Sequence, residues 1–117
     1  MAQTFEMMLR TDPFNQILDG IKTIEYRLHD KKRSLLNKGD YICFTEMLNE
    51  GIGRTLLVRV QDIVIAESFV SLKQKLSEKG LLDNESFSPN EMFKYYSTSD
   101  EIKYGVMGIK IEIIDTV

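Results

Sequence analysis

The run Gly20-Ile21-Lys22-Thr23-Ile24-Glu25-Tyr26-Arg27 concentrates the chain's chemistry. Residues 22–28 alternate, with Ile24, Tyr26 and Leu28 on one face and Thr23, Glu25 and Arg27 on the other, which is the period of a strand. Two residues apart on a strand, Glu25 and Arg27 leave the same face roughly 6–7 Å from one another, so one ligand could bridge them. A carboxylate accepts hydrogen bonds from the exocyclic amino group of a base. A guanidinium and an ammonium, here Arg27 and Lys22, hold phosphate or a base edge from the donor side. The plain alternative is an exposed ion pair worth about 0–1 kcal/mol.

The charge around this run is uneven. Residues 22–38 hold six basic residues (Lys22, Arg27, Lys31, Lys32, Arg33, Lys38) and two acidic ones (Glu25, Asp30), whereas the whole chain has 15 basic, 18 acidic and a net charge of -3. A small basic patch on an acidic body suits a short anionic ligand and argues against a protein that coats a long duplex through many phosphates. The same charges would also suit a solvated turn between two strands. Lys32 and Arg33 are the candidates to extend an anionic path beyond Lys22 and Arg27.

Other reactive residues are sparse. His29 offers a general base by its ordinary pKa, but it is the one histidine, with no second to act as its acid, so a surface turn is the favoured account of it. Cys43 reads as a small core filler, and one cysteine with one histidine leaves no metal site and no internal disulfide. Tyr26, Tyr95, Tyr96 and Tyr104 could stack bases or fill the core; Tyr104, beside Gly105, is the one expected at a cleft.

These residues need elements to hold them. Phe5, Met7 and Leu9 alternate with Glu6, Met8 and Arg10 as a first strand. Asp12 and Pro13 start a helix of about two turns, striped by Phe14, Ile17 and Leu18 and stopped by Gly20. After the strand at 22–28 comes a basic connection at 29–38, a strand at 40–47, a Gly-rich hairpin loop at 49–53 and a long strand at 55–66. The apolar phase of that long strand breaks between Val60 and Ile63, which requires a bulge near Gln61 or Asp62. Ser68 caps a helix with the stripe Phe69, Leu72 and Leu76 that ends at Gly80. Ser88, Pro89 and Glu91 form a capping box leading to Met92, Phe93 and Tyr96. A final strand faces Met107, Ile109, Ile111 and Ile113 inward, and Met7, Met92 and Met107 are read as core. Five or six strands with two or three short helices and an interior bulge define an α+β fold, a small mixed β-barrel rather than a doubly wound sheet.

At 117 residues, 43% hydrophobic and 28% charged, the chain fits one domain spanning residues 1–117 and neither a disordered nor a fibrous protein. It shows no basic-then-apolar leader and no apolar run of bilayer length, so a cytoplasmic protein without membrane association is expected.

The run Gly20 to Arg27 meets every fixed position of the GxKxxExR signature, and the chain here resembles the ASCH domain family, whose fold is a PUA-like barrel. Similarity extends to Pro13-Phe14, Arg27-Leu28 with Asp30 and Lys32-Arg33, Gly39-Asp40, Phe69, Tyr96-Ser97 and Tyr104-Gly105-Val106. The resemblance implies binding of RNA or a nucleotide, with Gly20, Lys22, Glu25, Arg27, Lys32, Arg33 and Tyr104 as site residues, no cofactor, and a cleft floored by the signature strand. It also implies an alternative, a small hydrolase of RNA or of a modified nucleoside such as N4-acetylcytidine. In the deacetylating branch a lysine and a threonine three residues later are catalytic, with a more distant glutamate. Lys22 matches the lysine, but Glu25 stands at the threonine position and Thr23 beside the lysine, and Glu67, Glu78 and Glu85 are the distal candidates. A carboxylate there pairs with the lysine and keeps it protonated rather than attacking an amide. Docking of a protein partner on the same strand is a third reading.

Overall fold

A computed structural model describes residues 2–82, 89–92 and 95–116. Five strands form one sheet: β1 (Thr4–Arg10), β2 (Ile24–Leu28), β3 (Tyr41–Leu48), β4 (Gly51–Ala66) and β5 (Val106–Thr116). The spatial order is β1-β3-β4-β5-β2, with β1 and β3 parallel and every other pair antiparallel. Helices α1 (Thr11–Leu18), α2 (Phe69–Glu78) and α4 (Thr98–Tyr104) pack around it, with a single turn, α3 (Pro89–Met92), and a 3-10 turn at Arg33–Leu35. The result is the α+β, curled half-barrel that the patterning implies.

The sheet curls because its strands twist and because β4 is bulged. Its register slips between Val60 and Asp62, so Gln61 is the extra residue and the broken apolar phase has its cause. A second slip lies between Leu57 and Val58. There Ile114 is the extra residue of β5; Ile113, expected inside, stays opposite Val58 but is 37% exposed next to this irregularity.

Curling gives the sheet two apolar faces. Inside, Met7, Leu9, Ile42, Phe44, Leu56, Val58, Val60, Met107 and Ile109 pack with Phe14 and Ile17 of α1. Outside, Ile24, Tyr26, Leu28, Val64 and Val106 pack with Phe69, Leu72 and Leu76 of α2. Met7 and Met107 are core as expected, and Met92 packs against the outer cluster.

Several boundaries shift. The hairpin loop is shorter than expected, because Leu48 already pairs with Gly51 and the Gly-rich segment joins the strand. Strand β2 begins at Ile24, so Lys22 and Thr23 precede it, although the Thr23 carbonyl still accepts from the Ile111 N–H. Cys43 is half-buried rather than core, because the inner face of β3 is taken by Ile42 and Phe44. Ser88, Phe93 and Glu85 lie outside the described residues. Helix α4 was not anticipated.

Candidate functional site

Gly20 ends α1 with φ at +77°, its N–H on the Ile17 carbonyl, and so turns the chain toward β2. Pairing with β5 then sets the faces. Glu25 lies opposite Ile109 and Arg27 opposite Met107, both inner-face residues, whereas Tyr26 lies opposite Gly108 and faces α2.

Glu25 is therefore buried, with 3% of its surface exposed. Its Oε1 lies 3.0 Å from Lys22 Nζ and accepts from the Tyr26 N–H at 3.2 Å. Its Oε2 accepts from Arg27 Nε at 3.1 Å and Nη2 at 2.8 Å. Burial pushes the Glu25 carboxyl up, but Lys22 and Arg27 outweigh it and hold the group below its ordinary value. Burial likewise works against the Arg27 charge, and Glu25 more than restores it, leaving its pKa raised. Glu25, expected to read a base edge, thus has both oxygens engaged by its own neighbours and serves to fix Lys22 and Arg27. The Lys22 ammonium also sits 5.5 Å above the Tyr26 ring.

Arg27 does a second thing. Its Nη2 donates to the Met8 carbonyl at 2.9 Å, a bond from one edge strand of the sheet, β2, to the other, β1. This closes the seam of the half-barrel. Tyrosines gather at this end: Arg10 of β1 lies 5.8 Å over the Tyr95 ring, and Tyr96 stacks on Phe69 at 5.8 Å. Burial pushes the Tyr96 hydroxyl up, opposed by the Arg27 and Arg33 charges.

Beside the seam opens a recess of about 400 Å3. Its lining includes the cations Arg27, Lys32 and Arg33, the carboxylate Glu6, and the apolar Phe5, Met8 and Ile52. The Arg33 side chain is held by Asp30, whose Oδ2 lies 2.7 Å from Nη1 and whose Oδ1 accepts the Arg33 N–H. The basic connection and the signature strand thus converge on one concavity.

The remaining candidates lie elsewhere. The Thr23 hydroxyl accepts from Lys110 Nζ at 2.7 Å, while the Lys22 ammonium is on Glu25. Tyr104 ends α4, with Lys103 Nζ 5.1 Å over its ring, and neither it nor Gly20 is among the residues lining the recess. Among the described residues no three His, Cys, Asp or Glu side chains are placed to hold a metal ion, and no helix is long and apolar enough to cross a membrane.

Sequence reasoning missed three buried carboxylates, the first being Asp40, whose oxygens accept from the Gln3 and Asn37 N–H groups. Glu46 fills the irregularity where β3 meets β4, accepting from Arg54 N and Nε, and Arg54 in turn lies 4.8 Å over Phe14. A Cβ on Gly53 would stand 2.6 Å from Glu46 Oε1, so that glycine makes room for the carboxylate. Glu101 of α4 accepts the Phe69 N–H at the start of α2.

A five-stranded curled sheet with one parallel edge pair, plugged by α1 and flanked by α2, defines a PUA-like half-barrel. The ASCH domain family matches residues 7–115, and the chain belongs to that family. It is similar to the crystal structure of the hypothetical protein PH0355, with a TM-score of 0.71 and 32% identity over 95% of this chain and 99% of that one. The solution structure of PF0455 from Pyrococcus furiosus is similar at a TM-score of 0.65 and 32% identity, covering 96% and 98%. The ASCH protein of Zymomonas mobilis shares the fold at a TM-score of 0.64 with 14% identity, over 97% of this chain and 72% of that one. No protein of curated function matches the chain.

Proposed function

We propose that this protein binds RNA or a nucleotide at the seam between β1 and β2. The observation that carries the reading is the convergence of Arg27, Lys32 and Arg33 on one recess, with Arg27 held in place by a buried carboxylate. Fixed guanidiniums beside a freer ammonium match the geometry and charge of phosphate. Lys22 and Glu25 act mainly through Arg27, as parts of the same ion network. Family membership favours the same ligand class.

The hydrolase alternative, which uses Lys22 with Thr23 or Glu25, has weaker support, since Lys22 is paired with Glu25, Glu25 also with Arg27, and the Thr23 hydroxyl accepts from Lys110.

The test uses the two cations outside the buried network. Lys32→Ala with Arg33→Ala should weaken binding of a short single-stranded RNA by about tenfold or more. It should also lower the slope of log affinity against log salt by roughly 0.7, the share of one phosphate contact. Unchanged affinity in the folded double variant overturns the proposal.

A further inference from the structure

We propose that the recess is built for a single nucleotide unit, a nucleoside monophosphate or the terminal nucleotide of a strand, with its phosphate on Arg27 and Arg33 and its base against Met8 and Ile52. This deepens the reading above and rests on it.

Size is the first argument. Ligand pockets commonly run from about 300 to 1,000 Å3, and a recess of about 400 Å3 lies at the small end. That is room for one nucleotide and not for a run of them. The hydrogen bond from Arg27 Nη2 to the Met8 carbonyl ties the two edge strands together beside it.

Donor placement is the second. Glu25 and Met8 engage Nε and Nη2 of Arg27, leaving Nη1 without a partner among the described residues. Asp30 engages Nη1 of Arg33, leaving Nε and Nη2 without a partner among the described residues. Two anchored guanidiniums with spare donors, joined by the exposed Lys32, form a site for one phosphate group rather than a track along several.

The apolar wall is the third. Met8 is 43% exposed and Ile52 71% exposed, so neither side chain is spent on the core. Together with Phe5 they supply the apolar part of the lining, against which a base can rest.

Isothermal titration of the wild-type chain and of Ile52→Asp tests the idea, using nucleoside monophosphates, the matching nucleosides, and a twelve-nucleotide RNA bearing a 5′-phosphate. Monophosphate and RNA should bind within about threefold of each other, and the nucleoside about tenfold or more weaker. Ile52→Asp should lose about tenfold toward both charged ligands at unchanged Tm, because its side chain is mostly solvated. RNA binding with no measurable binding of monophosphate overturns the single-nucleotide site and leaves the RNA reading standing. Equal affinity for nucleoside and monophosphate overturns the placement of phosphate, and unchanged affinity in Ile52→Asp overturns the placement of the base. Failure of every ligand to bind overturns both proposals.

Discussion

Glu25 keeps its charge in the interior because two cations meet it there, and its removal is costly for the same reason. Glu25→Ala leaves Lys22 and Arg27 uncompensated and should cost about 3–5 kcal/mol, read by urea denaturation. The alternation of residues 22–28 shows in the sequence that Glu25 and Arg27 share a face. It does not show that this face turns inward, because that depends on pairing with β5 at the far end of the chain. Hence the signature was legible, while the burial of Glu25 between Lys22 and Arg27 was not. Glu46 makes a second residue-scale prediction. Hydrogen bonds from Arg54, led by its side chain, lower its pKa from 4.5 to about 2. A carboxyl more acidic when folded contributes stability that is complete above the unfolded value and is lost as pH falls. The unfolding free energy should therefore decline between about pH 4.5 and pH 2, and Glu46→Gln should remove that share of the decline.

Among the elements, α2 depends on groups from two places. Ser68 accepts the Ser71 N–H at 3.1 Å, and Glu101 accepts the Phe69 N–H at 2.9 Å. Ser68→Ala should cost about 1 kcal/mol. Glu101→Ala should cost roughly 1–3 kcal/mol, since it leaves the buried Phe69 N–H unsatisfied. Both are measured as shifts in denaturant midpoint. The Ser68 cap was plain in the sequence, being a local pattern. Glu101 was not, because it reaches across from another helix. Helix α4 did carry a signal, Ser97 with its side chain accepting from the Asp100 N–H, but its seven residues are mostly polar and give no stripe. At the end of α4, Gly105 has φ at +71°, and a Cβ there would stand 3.0 Å from the Ala66 carbonyl oxygen. Gly105→Ala should thus destabilise by about 1 kcal/mol or more.

Across the molecule, β4 and β5 belong to both apolar clusters, inner through Val58 and Ile109, outer through Val64 and Val106. Damage on one side should therefore be felt on the other. Leu72→Ala, which touches the outer cluster alone, should lower stability by about 2–5 kcal/mol while unfolding stays a single transition by both circular dichroism and tyrosine fluorescence. Two separated transitions would show that the clusters melt independently. The number of strands and the bulge at Gln61 followed from periodicity, but the closing of the seam rests on one guanidinium reaching one carbonyl, and no pattern in the chain announces that.

The pairing of β2 with β5 carries a consequence for biosynthesis. Glu25 and Arg27 leave the ribosome well before the strand that orients them. Until Ile109 and Met107 arrive, the signature strand lacks its pairing partner, and a chain terminated before β5 would carry the signature without its pocket.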